Sequence, residues 1–400
     1  MNSKLLLAPL AAAVLATAPA AQGPVFSSPG GSTYQGTGQT SRFSREFNPA
    51  FGLVIDGYGD YLTAEGAPDG FDLSLRLFEL SAAAWIDPSA WAWVVLGAEE
   101  LDAPVVEEAA VEYVGDLFGG NSTAMVGRFF VDFGKQMQMH PEELRTLERP
   151  LVLREFLGEE LAGVGLQFDN WFAAGDTTPV RYSVGVFSDL ISEGHHQDEG
   201  SPIPEADVPE RKSLDELSLA ARLTGMTETG EQSTLQLGTS LRYAPEFSFE
   251  FGSLEQTGLS NLIWGVDATW GWADETGTER LTLGLEALRL DGDLSAAVDD
   301  PMTPTVLTVT NDAVHGYYVF GDWGWNRFQS AGLQYSWVES PDDPASDLSE
   351  LDLYYTHHFT EFRRLRLGTT LADVDAGGDS FRVYVQFTGF LGAHSHGLNW

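Results

Sequence analysis

From residue 50 to residue 391, apolar and polar residues alternate with a period of two. The stretch 380–390, "SFRVYVQFTGF", shows the pattern. Phe381, Val383, Val385 and Phe387 fall on one side, and Arg382, Tyr384, Gln386 and Thr388 on the other. Successive side chains of an extended chain point to opposite sides, so each such segment makes a strand with one apolar and one polar face. The alternation recurs over 50–62, 71–86, 90–100, 105–115, 123–134, 161–173, 179–189, 215–227, 232–245, 261–273, 279–290, 313–323, 327–338, 349–358, 362–373 and 380–391. Many of these segments are long enough to cross a bilayer as tilted strands, which takes roughly 9 to 11 residues. A soluble sandwich shows the same alternation, so the connections must decide.

In an up-and-down barrel with an even number of strands, odd-to-even connections share one rim and even-to-odd connections share the other. The long connections 135–160, 190–214, 291–312 and 339–348 are all odd-to-even. The even-to-odd set holds "DPSA", "GDTTP", "ETGEQ", "ETGTE" and "WNR", all short and turn-like. Long connections on one side and tight turns on the other are the habit of membrane barrels. The expected fold is therefore all-β: a transmembrane antiparallel β-barrel of about 16 strands, with long extracellular loops and short periplasmic turns. The last strand is expected to pair with the first and remove the open edge.

The ends agree with export. Lys4, the apolar run Leu5–Val14 and Ala18-Pro19-Ala20 read as a signal peptide over 1–20. A Gly/Ser-rich leader occupies 21–49, and 50–400 is the barrel. Beyond the signal, no apolar run approaches the roughly 20 residues of a membrane helix. There is no Cys, which excludes disulfides and thiolate metal sites.

Acidic residues number 59 against 21 basic ones, for a net charge of −38. That balance argues against nucleic acid as a partner. It suits either a salt-adapted surface or an electronegative pore mouth that gathers cations. Lysine occurs only at 4, 135 and 212, so the basic side chains of the barrel are almost all arginine.

The polar faces give a candidate pore lining. By alternation Arg128, Asp132, Arg181, Arg222, Arg242, Arg364, Arg366 and Arg382 point inward. They either set a transverse field across the opening or pair with inward acids. The segment 135–160 is too polar for a strand and carries Glu142, Glu143, Arg145, Glu148, Arg149, Arg154 and Glu155. A barrel of sixteen strands leaves an aqueous lumen, and a loop folded into it would narrow the passage and set its selectivity. Loop 135–160 is the candidate constriction loop.

Other chemistry is not expected. His195-His196 in an acidic loop and His394/His396 in the tail lack a four-ligand spacing. The chain has no GxSxG and no HExxH, so neither catalytic residues nor a cofactor is predicted.

The run "GRFFVDFGKQMQMHPEELRTLERPLVLREFLGEELAGVGLQF" resembles the corresponding segment of the porin O/P-like family of outer-membrane porins. Arg128-Phe129, His140-Pro141, Arg154-Phe156-Gly158 and Gly165-Gln167 carry the likeness, as does "FLGAHSHGLNW" at the end. The resemblance implies passive diffusion of small hydrophilic solutes and ions through the outer membrane, and a homotrimer embedded in lipid and lipopolysaccharide. Some family names imply phosphate selectivity or TonB-dependent uptake. Two lysines in the mature chain and a leader of this length suit neither. A substrate-specific or metal-ion uptake porin, or a plugged structural barrel, is the alternative expectation.

Overall fold

The alternating segments pair edge to edge and close on themselves. A computed structural model describes residues 49–64, 69–99, 103–115, 121–158, 160–175, 178–188, 190, 203–205, 213–251, 254–298, 306–342, 346–374 and 378–392. The signal segment, nearly all of the leader, His195-His196 and 393–400 lie outside the described residues.

Sixteen strands form the barrel: β1 (Ala50–Ala64), β2 (Gly70–Asp87), β3 (Ala90–Glu99), β4 (Val105–Gly115), β5 (Asn121–Phe130), β6 (Ala162–Ala174), β7 (Thr178–Phe187), β9 (Ser218–Gly230), β10 (Ser233–Phe251), β11 (Leu254–Ala273), β12 (Arg280–Val298), β13 (Val306–Asn326), β14 (Gln329–Glu339), β15 (Asp347–Thr360), β16 (Arg363–Val374) and β17 (Ser380–Gly392). A short extra strand, β8 (Ile203–Glu205), adds to the outer end of β10. Every pairing is antiparallel, and β17 pairs with β1 from Gly52↔Gly392 to Ala64↔Ser380. That seam leaves no row of unpaired amides facing lipid, the condition for a sheet to span a bilayer.

One rim carries tight turns at 88–89, 231–232, 327–328 and 361–362. Their chemistry is local. Asp87 accepts hydrogen bonds from the Ser89 amide and hydroxyl at 2.7 and 2.8 Å, an Asx-type turn. The other rim carries 131–161 and 188–217, the two longest connections.

Two expectations need correction here. The expected loop 291–312 is mostly strand, because β12 runs to Val298 and β13 begins at Val306. β13 has 21 residues against 10 in β5, so this side of the barrel rises above the other. The second correction concerns Arg128. It lies opposite Ala109 and Val164, and Val164 is 46% exposed on the outer surface. On β5 it is Met125 and Phe129 that face the interior. The regular strand ends at Phe130, so the alternation expected to carry both Arg128 and Asp132 inward breaks between them. Arg128 stands on the outer face; Asp132 is buried inside.

Elsewhere the faces sort as the alternation requires. Leu166, Val184, Leu237, Val266, Leu283, Leu333 and Val385 are exposed outside. Aromatic rings gather near the turn rim, including Trp85–Trp91 and Trp323–Trp325 at 5.3 and 5.4 Å. A second group, Tyr317, Tyr335 and Trp337, sits toward the opposite rim. An aliphatic band between two aromatic girdles is what a bilayer-spanning barrel presents to lipid and its interfaces.

Candidate functional site: the loop inside the barrel

The connection 131–161 is buried in the lumen. It enters where β5 ends and bends at Gly134, whose φ is +57°. A Cβ there would stand 2.0 Å from Oε1 of Glu286 on β12, so both the backbone conformation and the close approach require glycine. The entry is fixed by hydrogen bonds from the Gly134 amide to Ser240 Oγ and from the Lys135 amide to Glu286 Oε2, both 3.0 Å. Lys135 Nζ donates to Gln236 Oε1 at 2.8 Å. Burial, with Arg222 and Arg145 nearby, lowers the Lys135 ammonium to about 7.

Beyond this the chain runs through a 3-10 turn, Pro141–Glu143, and a short helix, α1 (Leu151–Leu157). Pro141 begins the turn with a φ already fixed for it. Gly158 ends the helix at φ +73°. Val152, Leu153, Phe156 and Leu157 are buried against the inner wall, where Val314, Tyr318, Phe320 and Val338 are also buried. The Val152 amide donates to Ser336 Oγ at 3.1 Å. The interior is thus not uniformly polar: strands β11 to β14 offer an apolar seat that matches an apolar loop face.

Seven of the eight expected inward residues do face the interior, where they contact the inserted loop, inward polar partners or the start of the next long connection. Arg366 donates to the carbonyls of Thr146 and Leu144 at 2.9 and 2.5 Å, and to Gln386 Oε1 at 2.8 Å. Arg364 donates to the Glu142 carbonyl and to Thr388 Oγ1. Arg382 pairs with Asp60 at 3.2 Å and with Glu148 of the loop. Arg181 pairs with Asp132 and Asp169 at 2.8 and 2.6 Å. Arg222 pairs with Asp267 at 2.8 Å, and Asp132 accepts from Ser183 at 2.8 Å. Arg242 donates to the Leu190 carbonyl, at the start of the next long connection.

The loop's own charges divide into two groups. Arg149, fully buried, donates to the carbonyls of Gln136 and Met139 and folds the loop on itself. Glu142 is buried, Glu143 half-buried and Glu155 exposed. Arg154 bridges Glu148 at 3.1 Å and Glu350 of β15 at 2.6 Å. Burial opposes the Glu148 carboxylate, but Arg154 and Arg382 outweigh it and lower the group to about 2. Arg145 lies over the Phe320 ring at 4.1 Å. It also lines a cavity of about 590 Å³ with Gln232, Trp272 and Arg280, close to the turn rim. The loop therefore reaches almost through the barrel.

Four residues outside the expected set form a further contact. The imidazole of His140, 1% exposed, has Nε2 at 3.0 Å from Glu108 Oε1, and Nδ1 at 3.3 Å from Glu79 Oε2 and 3.5 Å from Glu107 Oε2. Burial disfavours the imidazolium, yet Glu107, Glu108 and Glu79 together raise it well above the usual histidine range. Both Glu107 and Glu108 are buried because the register of β3 and β4 shifts at Val95/Leu96, an irregularity that turns two adjacent residues inward. The signal in the sequence was the pair of adjacent acids in "VVEEAA", where alternation allows one.

No family model matches the chain, and no curated protein does. Solved structures do. The chain is similar to OprB of Pseudomonas putida, at 10% identity and a TM-score of 0.54, over 86% of this chain and 94% of that one. It is similar to the outer-membrane channel DcaP of Acinetobacter baumannii, at 9% and 0.53, over 86% and 97%. An anion-selective porin from Comamonas acidovorans matches at 12% and 0.52, over 86% and 99%. At such identities the likeness is one of fold. The protein has the closed antiparallel barrel of outer-membrane porins. Its place is the outer membrane, where the apolar outer band meets lipid.

Proposed function

We propose that the protein is a porin-like channel for passive diffusion of small hydrophilic solutes and ions, with the connection 131–161 as its constriction. One observation carries this reading. A loop anchored by Arg364, Arg366, Arg382 and Arg154 to the last barrel strands crosses the lumen at a fixed height. Its partly exposed charges, Glu143, Arg145, Glu148 and Arg154, then border whatever opening remains. The net charge of −38 supports a weak preference for cations. The motif resemblance at His140-Pro141 and Arg154-Phe156-Gly158 favours a relative of the porin O/P-like family. A homotrimer in lipid and lipopolysaccharide is part of the same proposal; a trimer form is named for OmpT of Vibrio cholerae.

A second reading has its own observation. Phe133, Met137, Leu144, Leu153 and Leu161 give the lumen a dry apolar core, which suits a plugged structural barrel. Single-channel conductance of the refolded protein in a planar bilayer, under a salt gradient, separates the two. Stable steps with a modest cation preference are expected. Silence from protein shown to be folded by heat-modifiable gel migration would overturn the diffusion channel and leave the plug.

A further inference from the structure

The contact around His140 is built like a metal site. The Nε2–Oε1 distance of 3.0 Å to Glu108 assigns the ring proton to Nε2. Glu108 is itself held, because Trp93 Nε1 donates to its other oxygen. This is the arrangement in which a carboxylate orients a ligating histidine through its far nitrogen. Nδ1 faces Oε2 of Glu79 and Oε2 of Glu107, at 3.3 and 3.5 Å, and a cation that displaces its proton would meet a lone pair there. Those three atoms lie within 4.8 Å of one another. Two ligand atoms each about 2.0–2.1 Å from a tetrahedral ion stand roughly 3.3 Å apart, close to the two distances from Nδ1.

Glu107 supplies an independent observation. Its side chain is more than nine-tenths buried, and its Oε2 accepts no hydrogen bond among the described residues. Its position is enforced from behind. The carboxylate packs on Gly97 of β3, where a Cβ would fall 1.4 Å from Oε1. A buried carboxylate oxygen at 3.5 Å from a ring nitrogen, beyond normal hydrogen-bond length, gains less from that contact than from a cation placed between the two.

We propose that Glu79, Glu107 and His140 Nδ1 bind one divalent cation of the zinc class, with Glu108 as the positioning residue that orients the imidazole. The nitrogen donor selects a transition ion over calcium or magnesium, which take all-oxygen sites. Glu79 and Glu107 belong to the barrel wall and His140 to the tip of the inserted loop, so the ion bonds loop to wall. The inference goes beyond the diffusion reading and holds for an open channel or a plugged one alike.

The test uses the full chain, folded in detergent, stripped with a chelator and titrated with zinc chloride. Total metal is then measured, with cobalt(II) absorption as a second readout. The sequence carries seven other histidines, at 195, 196, 315, 357, 358, 394 and 396, so the decisive quantity is the difference between variants. His140→Gln and Glu107→Gln are expected to bind one ion fewer per chain and to lose the cobalt band. Glu108→Gln is expected to weaken binding about 10- to 100-fold while keeping the stoichiometry. Zinc is expected to raise the temperature of heat-modifiable migration for the parent protein and not for Glu107→Gln. Glu107→Gln keeps the shape of the side chain and is expected to show the same heat-modifiable migration as the stripped parent, which separates failure to bind from failure to fold. The proposal is overturned if the variants bind as the parent does. It is equally overturned if the folded parent binds no ion at this site, which leaves only a proton between the carboxylates.

Discussion

Arg366 and Arg128 separate two meanings of an arginine on a barrel strand. Arg366 is 3% exposed and satisfies two loop carbonyls and one side-chain oxygen. Its replacement by alanine strands three buried acceptors, each worth about 1–3 kcal/mol. Arg366→Ala is expected to lower the temperature of the heat-modifiable gel shift markedly and to make the conductance noisy. Arg128→Ala, on the outer face, is expected to leave conductance and its salt dependence unchanged; a large change would return Arg128 to the lumen. Glu148 gives a pH dependence. Its folded value of about 2 lies below its ordinary value of 4.5, so its contribution is complete above about 4.5 and is lost as pH falls toward 2. The parent protein is expected to lose stability against chemical unfolding across that window, and Glu148→Gln to show a flatter profile. Gly134→Ala combines a positive φ with a 2.0 Å clash and is expected to displace the loop entry and raise conductance.

At the scale of elements, the strands were legible and the inner contacts were not. All sixteen alternating segments appear as barrel strands, because the period of two is written in the residues themselves. The long connection between β5 and β6 was equally plain, since no strand can be drawn through "HPEELRTLERP". Its partners lie up to 234 residues away, as with Arg382 and Glu148, and nothing local reports such a distance. β5 is short and its inward face is apolar, so alternation alone gives it the opposite phase. Expected loop 291–312 was misread because polar residues such as Asp291, Asp293 and Asn311 extend a hairpin standing clear of the membrane. Replacing 136–157 by a short Gly/Ser turn is expected to keep the barrel folded and raise its conductance several-fold. Unchanged conductance would mean that the loop does not limit the passage.

For the whole molecule, closure at the β1–β17 seam is the condition for everything else. A chain ending at 379 lacks β17 and exposes the edges of β1 and β16. It is expected to give no heat-modifiable species in detergent or lipid. The −38 charge belongs to this scale too, since it acts through the mouth as a field and not through one contact. Cation preference is expected to shrink as salt rises and the Debye length falls to about 3 Å at 1 M.

The fasteners that hold the inserted loop have an unequal distribution in time. Arg364, Arg366 and Arg382 come from the last two strands, which the ribosome finishes last. Asp56 of β1 accepts from Gln386 and Thr388 of β17 at 2.6 and 2.7 Å, directly behind them. The loop is synthesised long before any of these partners exists. The contacts that close the seam and those that fasten the loop thus share the same two strands, so the loop is fully fastened only where the wall is complete.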